Sequence, residues 1–263
     1  MMKTLNKILS FGVAFSRTSY LRLPSLFVLL SVLLFGPRNG ISQTKSKTET
    51  PSPPIHFGKE SGSFRIFFGG EEIGEEKFQI IEEASSLKAI AEIRIAVDRD
   101  KEKVVFLIHP ALQFTRSFEP LSYQVVQEAG PNKMRARVNF KPGKSEAVYE
   151  TGKESDTRQV ELKKDVMILD DNVFHHYLVL VKRYDFSKGG QQEFSAFVPQ
   201  QFLSGAVSVT DKGKEMVRIG DKNLSLQHLL VDTGELQISL WLNESHDLLK
   251  LSVPKSNVDV LRE

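Results

Sequence analysis

The stretch LKAIAEIRIAV, residues 87–97, decides the fold because its apolar and polar side chains alternate. Every odd-numbered residue in it is apolar, whereas Lys88, Glu92 and Arg94 occupy even positions. Successive side chains of a β-strand point to opposite faces of the sheet. The pattern therefore predicts a strand with one buried face.

The same period of two residues recurs in KMRARVNFK, residues 133–141, and in LQISLWL, residues 236–242. The second of these stretches precedes the polar turn NESHD and a further alternating stretch, residues 248–253, so that the pair predicts a hairpin. Many short strands separated by turn residues are typical of an antiparallel sheet.

Apolar residues also occupy the polar side of some predicted strands, for instance Ile90, Trp241 and Leu248. A curved sheet that buries side chains on both faces, one of them against a helix, would produce this pattern. We therefore predict a mainly β protein, a strongly curved antiparallel sheet or half-barrel with one principal α-helix covering it.

Residues 173–184 depart from the period of two, because their apolar side chains recur at helical spacing. The residues Asp170–Asn172 stand before this segment as predicted N-cap residues, and Lys182 and Arg183 stand near its carboxyl end, where positive charge complements the helix dipole. The pattern predicts the one substantial helix.

Residues 1–42 have the composition of a secretory signal. They hold five of the chain's 35 basic residues, none of its 33 acidic residues, and the apolar run Leu26–Phe35. A transmembrane helix needs about 20 apolar residues, so we favour a signal peptide cleaved after Ser42 over an N-terminal membrane anchor. Residues 43–54 are then a flexible linker and residues 55–263 a single β-rich domain in the periplasm or outside the cell. Membrane contact is expected only through the N-terminal segment.

Charge and cysteine content exclude several classes of protein. The chain beyond residue 42 has a net charge of about −3, which argues against nucleic-acid binding. The chain has no cysteine, so disulfides, cysteine-ligated metals and thiol nucleophiles are excluded. We expect no cofactor. The composition does not indicate an oligomeric state.

The adjacent histidines His175 and His176 diverge by about 100° on a helix, so they cannot chelate one metal ion as an i, i+4 pair does. We interpret them as residues that border the apolar stripe and meet solvent or sheet edges, with Asp171 and Asn172 as their i, i+4 neighbours. No catalytic motif is present, and we predict no catalytic residue, no metal site and no cleft in which titratable groups converge.

Two surface features are candidate binding sites. A basic stripe, Lys133, Arg135, Arg137 and Lys141, lies on and just beyond the polar side of one predicted strand. We favour a solvated outer face over a contact with an anionic group such as a lipid headgroup or acidic glycan. Trp241 is either a cross-strand packing partner or part of a second apolar surface.

Five stretches of the chain resemble an uncharacterised family of exported bacterial β proteins. They are FRIFFGGEEIGEEKFQI (64–80), FEPLSYQV (118–125), DNVFHHYLVLVKRYD (171–185), FVPQQ (197–201) and LWLNESHDLLKLSVP (240–254). The resemblance spans residues 57–263. In architecture the chain is also distantly similar to the periplasmic lipoprotein-localisation carriers, and that similarity implies an apolar cavity and no chemistry.

These observations favour a non-enzymatic cell-envelope protein that binds a lipid or other hydrophobic ligand in a groove between sheet and helix. The predicted ligand contacts are Phe174, Tyr177, Leu178 and Val181 on the helix, together with Trp241. The alternative is an envelope assembly or interaction scaffold with a filled core and no ligand, and a hydrolase is a third hypothesis.

Overall fold

The computed structural model describes residues 60–99 and 102–263, so the predictions for residues 1–42 and 43–54 lie outside the described residues. The strands are β1 (Glu60–Phe68), β2 (Glu71–Glu82), β3 (Leu87–Arg99), β4 (Glu102–Phe114), β5 (Pro120–Ala129), β6 (Asn132–Asn139), β7 (Ser145–Thr151), β8 (Glu154–Val160), β9 (Met167–Ile168), β10 (Gln191–Val198), β11 (Leu203–Ile219), β12 (Lys222–Asp232), β13 (Gln237–Leu242), β14 (Leu248–Val253) and β15 (Val258–Arg262). The helix α1 spans His176–Arg183, and two 3-10 turns span Pro199–Gln201 and Pro254–Ser256.

All of these strands belong to one sheet in which most strands pair with their neighbours along the chain. The pairing is antiparallel except between the two-residue β9 and β10. The first and last described strands, β1 and β15, also pair, from Phe64 opposite Arg262 to Phe68 opposite Val258. The edges of the sheet are therefore β8 and β9, which are consecutive along the chain.

The sheet curls until its two edge regions approach each other. The Tyr149 hydroxyl on β7 donates a hydrogen bond to the Pro199 carbonyl oxygen at 2.6 Å, across the gap between β7 and the end of β10. The Arg158 guanidinium on β8 stacks over the Phe202 ring, 5.4 Å from its centroid. The predicted fold class, a mainly β protein with a strongly curved antiparallel sheet and one principal helix, is confirmed.

The concave face of the sheet holds the core and the helix. Ala89, Ala136 and Ala147 are all buried on this face, and their short side chains leave room above the sheet. The helix segment His176–Val181 fills the concave side and is buried at every position. A helix that is buried on all sides lies inside a core. The sheet therefore encloses α1, which does not contact the sheet through one apolar face alone.

The predicted N-terminus of the helix is wrong. The helix begins at His176, and its N-cap residue, His175, makes no side-chain capping hydrogen bond. Asn172 has φ = 58°, a left-handed conformation that a continuous right-handed helix cannot include. The helix therefore cannot extend back to the acidic residues that the sequence suggested as caps. The basic residues of the last turn, Lys182 and Arg183, lie where the sequence placed them.

Among the described residues, no helix is both long and apolar enough to cross a membrane.

Candidate functional site

A buried polar network begins at Glu76, which projects from the inner face of β2. Its carboxylate accepts hydrogen bonds from the backbone amides of Phe174, at 2.8 Å, and His175, at 3.1 Å, and it also pairs with His175 Nδ1. Glu76 and His175 are both 0% exposed. A strand residue therefore supplies the acceptor oxygens at the start of the helix that the sequence assigned to the neighbouring aspartates.

His176 and Asp170 extend the network across the core. His176 Nδ1 accepts a hydrogen bond from the Asp170 backbone amide at 3.3 Å, and the two histidine rings lie edge to face with centroids 4.7 Å apart. The Tyr123 hydroxyl on β5 donates to Asp170 Oδ2 at 2.5 Å. The network thus joins β2, β5 and the segment before the helix.

Asp170 and Asp171 fasten this segment to the turn after β10. The Gln200 backbone amide donates to Asp170 Oδ1 at 2.9 Å, and Gln201 Nε2 donates to Asp171 Oδ2 at 2.6 Å. Both aspartates are buried. Their acceptor oxygens bind the turn between β10 and β11 and hold it against the segment that enters the helix.

Burial shifts the pKa of several of these groups toward the uncharged form. It raises the pKa of Asp170 to about 6, although hydrogen bonds from Tyr123 and Gln200 oppose the rise. Burial and the charge of Asp170 raise the pKa of Asp171 to about 8. Burial also holds the pKa of His176 well below its ordinary value and that of the Tyr123 hydroxyl well above its own. The interior disfavours charge on these groups.

The predicted surroundings of the two histidines are wrong. His175 and His176 meet neither solvent nor a sheet edge, because both are completely buried. Titratable groups converge around these histidines inside the core. The Nε2 atoms of both histidines are buried and have no hydrogen-bond partner among the described residues. Within residues 60–99 and 102–263, no three His, Cys, Asp or Glu side chains are grouped so as to hold a metal ion.

The predicted helix contacts for a ligand lie in a filled interior. Phe174, Tyr177, Leu178 and Val181 are only 1–4% exposed and belong to the single hydrophobic core. Such low exposure means that neighbouring side chains surround these four residues closely. The structure brings these four residues together, and sheet and helix side chains occupy the space that would form a groove.

Trp241 lies apart from them, on the outer face of β13, where its neighbours Leu240 and Leu242 point inward and are buried. Its ring stacks on His228 with centroids 5.1 Å apart, and Lys250 Nζ lies 5.2 Å from the centroid of the tryptophan ring. The cross-strand packing interpretation of Trp241 fits these contacts.

The basic stripe is largely paired with acidic neighbours. Arg135 and Arg137 both bind the Glu150 carboxylate, at 3.1 and 2.5 Å, and Lys133 binds Glu128 at 2.7 Å. The fourth member, Lys141, follows the end of β6 and is exposed. These ion pairs are those of a solvated outer strand face, the interpretation that the sequence favoured.

An apolar surface that the sequence did not single out lies on the concave face, at the end of the sheet where the hairpins β3–β4 and β5–β6 turn. We call it the hairpin-end patch; it consists of Val97, Val104, Ala129 and Met134. Val97 pairs with Val104, and all four residues pack against the core while remaining only partly buried. The core thus reaches the surface here, beyond the space that the helix fills.

Comparison with known proteins identifies the fold and no activity. No protein-family model and no curated protein matches the chain. The β-barrel-like protein of the domain of unknown function DUF1849 from Brucella abortus is similar, with a TM-score of 0.52 and 10% identity over 78% of this chain and 94% of that one. A DUF1089 family protein from Pseudomonas aeruginosa has a TM-score of 0.41 and 12% identity over 78% of this chain and 95% of its own. The first likeness confirms the resemblance to an uncharacterised β protein at the level of the fold.

Proposed function

From a barrel-like fold that fixes no activity, we propose that this chain is a non-enzymatic cell-envelope protein that binds a lipid or similar hydrophobic ligand on its concave face. The observation that supports this proposal is the hairpin-end patch. Its side chains are apolar, partly exposed and continuous with the core. A hydrocarbon chain laid there would remove apolar surface from water, which is favourable by about 25 cal/mol per Å².

Side chains fill the interior between sheet and helix, where the sequence predicted a ligand-binding groove. We therefore place the proposed ligand at the end of the sheet. In this proposal Phe174, Leu178 and Val181 are core residues and do not touch the ligand. The histidine network holds the helix in place and takes no part in chemistry, since its carboxylate and imidazole groups are closed off from any substrate.

The test compares two valines that are neighbours on β4. Val104 points to the concave face and Val105 to the outer face, and both are half-buried. We expect Val104→Asp to weaken binding of the uncharged fluorescent probe N-phenyl-1-naphthylamine by at least about tenfold, because a charge would replace apolar contact worth about 1.5–3 kcal/mol. Val105→Asp should leave the affinity within about twofold, since it alters the opposite face.

Native mass spectrometry of the wild-type protein supplies the complementary measurement. We expect a co-purifying lipid that organic extraction removes. A wild-type protein that carries no lipid and binds no probe would exclude lipid binding.

The filled core favours a second candidate function, an interaction scaffold for envelope assembly that takes no small ligand. In that case Val104→Asp and Val105→Asp leave lipid probes equally unbound. Chemical cross-linking in the intact envelope should then capture a protein partner of the wild-type chain.

Export is part of the same proposal. The composition of residues 1–42 supports secretion, with cleavage after Ser42. N-terminal sequencing of the protein from the envelope fraction should give Gln43 as the first residue. A first residue within 1–25 on the membrane-bound protein would instead indicate an uncleaved anchor.

A further inference from the structure

Gln127 is a buried amide on the concave face, in a position where the sheet offers it no polar partner. It lies on β5 between Val125 and Ala129, the residues that share its face, and its cross-strand partners are Ile108 on β4 and Met134 on β6. Gln127 is 4% exposed, and neither its Nε2 nor its Oε1 atom has a hydrogen-bond partner in the part of the chain that the structure describes.

An unpaired amide in these surroundings is costly. A buried donor or acceptor without a partner costs about 1–3 kcal/mol, and a leucine or methionine of similar size would fill the same space without that cost. Nearly all buried polar side-chain atoms in folded proteins have a partner, so the amide of Gln127 calls for one that residues 60–99 and 102–263 do not supply.

The surroundings of Gln127 show where such a partner can arrive. Two of its four neighbours, Ala129 and Met134, belong to the hairpin-end patch and are partly exposed. Alanine leaves space beside the amide, and the unbranched side chain of Met134 can change rotamer at little cost. A ligand lying on the patch therefore comes within one side chain of the Gln127 amide.

We infer that the ligand of the proposed site is a single-chain lipid with an uncharged hydrogen-bonding end group, such as a fatty alcohol, a fatty amide or a protonated fatty acid, and that Gln127 binds this group. The inference rests on the proposed function. Nε2 donates to the oxygen of the end group and Oε1 accepts its hydrogen, so that both atoms of the amide are satisfied. Since the four nearest neighbours of Gln127 on this face, Val125, Ala129, Ile108 and Met134, are apolar, a charged headgroup would lose its hydration there without compensation.

The experiment measures end-group preference by displacement of the fluorescent probe N-phenyl-1-naphthylamine from the full exported protein. The competing ligands are 1-dodecanol, dodecane and dodecyltrimethylammonium. The wild-type protein should bind 1-dodecanol at least about tenfold more tightly than either of the others. In Gln127→Leu and Gln127→Met the preference for the alcohol over the alkane should fall to within about twofold, while the affinity for dodecane stays the same.

The control is Gln124→Leu, which changes an exposed glutamine on the outer face of the same strand and should keep the wild-type preference. The two replacements at residue 127 are apolar and of similar volume, so both should fold at least as stably as the wild type.

Two other results overturn the inference in different ways. If the wild-type protein and Gln127→Leu bind the alcohol and the alkane with the same ratio, the amide is satisfied by an internal water molecule and the end-group assignment is wrong, although hydrophobic binding stands. If the wild-type protein binds neither the probe nor any of the three ligands, the proposed function fails, and the inference fails with it.

Discussion

The Glu76 carboxylate accepts two backbone amides and pairs with His175 in a part of the core that water does not reach. Removing it would leave a buried imidazole and two buried amides without a partner. We expect Glu76→Ala to lower the free energy of unfolding by about 3–5 kcal/mol, the usual cost of deleting one member of a buried pair. Urea denaturation followed by Trp241 fluorescence measures this loss.

Glu72 on the same strand is the matched control for Glu76. It forms an ion pair with Arg65 at 3.3 Å, and both side chains are well exposed to solvent. Glu72→Ala should therefore cost no more than about 1 kcal/mol. Equal losses for the two variants would mean that the buried network does not stabilise the start of the helix.

Asp171 makes the stability depend on pH. Burial raises the pKa of its carboxyl to about 8, whereas an aspartate in the unfolded chain titrates near about 4. Between these values the folded protein holds a proton that the unfolded chain has released. The stability that the protonated Asp171 carboxyl contributes is therefore fully present below about pH 4 and is lost as the pH rises through about 8.

Asp171→Asn should reduce this loss. Asparagine keeps an oxygen acceptor for the Gln201 amide and cannot ionise. Relative to the wild type, the variant should gain stability as the pH is raised from about 5 to about 9. His176 acts in the opposite sense, because its lowered pKa reduces stability as the pH falls below about 6.5, but it is present in both proteins and cancels from their difference. Parallel pH profiles for the two proteins would contradict the assignment.

The helix, taken as an element, is a core component enclosed by the sheet. Leu178 is 2% exposed and belongs to the hydrophobic core. In a filled interior, Leu178→Ala should leave a cavity and cost about 2–5 kcal/mol of unfolding free energy. Chemical denaturation measures the loss.

Leu121 provides the comparison, because it is a leucine of β5 that is 41% exposed. Leu121→Ala should cost less than about 1 kcal/mol, since little burial is lost. A loss for Leu178→Ala as small as that for Leu121→Ala would show that the space beside the helix is open, as the groove first predicted from the sequence requires.

The strands could be predicted from the sequence because the alternation of apolar and polar residues within each strand indicates which of its faces is buried. Alternation in residues 87–97 placed Leu87, Ile93 and Ile95 on the buried face, and all three are buried. The start of the helix could not be predicted in the same way. It depends on Glu76, about 100 residues away along the chain, and on the left-handed backbone of Asn172. Neither leaves a local pattern at residues 170–172.

The histidines and the hairpin-end patch illustrate the same limit at the candidate site. An adjacent histidine pair on an apolar stripe gives no sign of burial, because burial depends on a partner carboxylate supplied by another strand. The patch joins β3, β4, β5 and β6, and its members look like ordinary inward residues of their own strands. Only the register shows that they meet at one end of the sheet and that Gln127 lies beneath them.

At the scale of the whole molecule, the two halves of the sheet are joined by the pairing of β1 with β15, the first and last described strands. β15 lies between β14 and β1, so residues about 200 positions apart pair at the centre of the sheet. Pairing over such separations costs loop-closure entropy before it yields contacts, which predicts slow folding. The exposed strand β8, in contrast, lies at an edge and pairs only with β7 on its ladder.

Deletion of residues 258–263 should therefore abolish cooperative folding. It would remove Val258 and Val260 from the core and leave β1 and β14 as two unpaired edges in the middle of the sheet. Buried backbone groups that lose their partners cannot be satisfied by water, so the two halves of the sheet should separate. Circular dichroism on heating should show no sharp transition, and limited proteolysis should cleave the chain throughout.

Deletion of Glu263 alone is the control. It removes one backbone hydrogen bond to Ser63, the hydrogen bond from the Ser63 hydroxyl to the Glu263 carboxylate, and an exposed ion pair with Arg65. It should lower the melting temperature by only a few degrees, about 2–4 °C. A truncated protein that still unfolded cooperatively near the wild-type temperature would mean that the two halves of the sheet fold independently, and that the pairing of β1 with β15 only joins them.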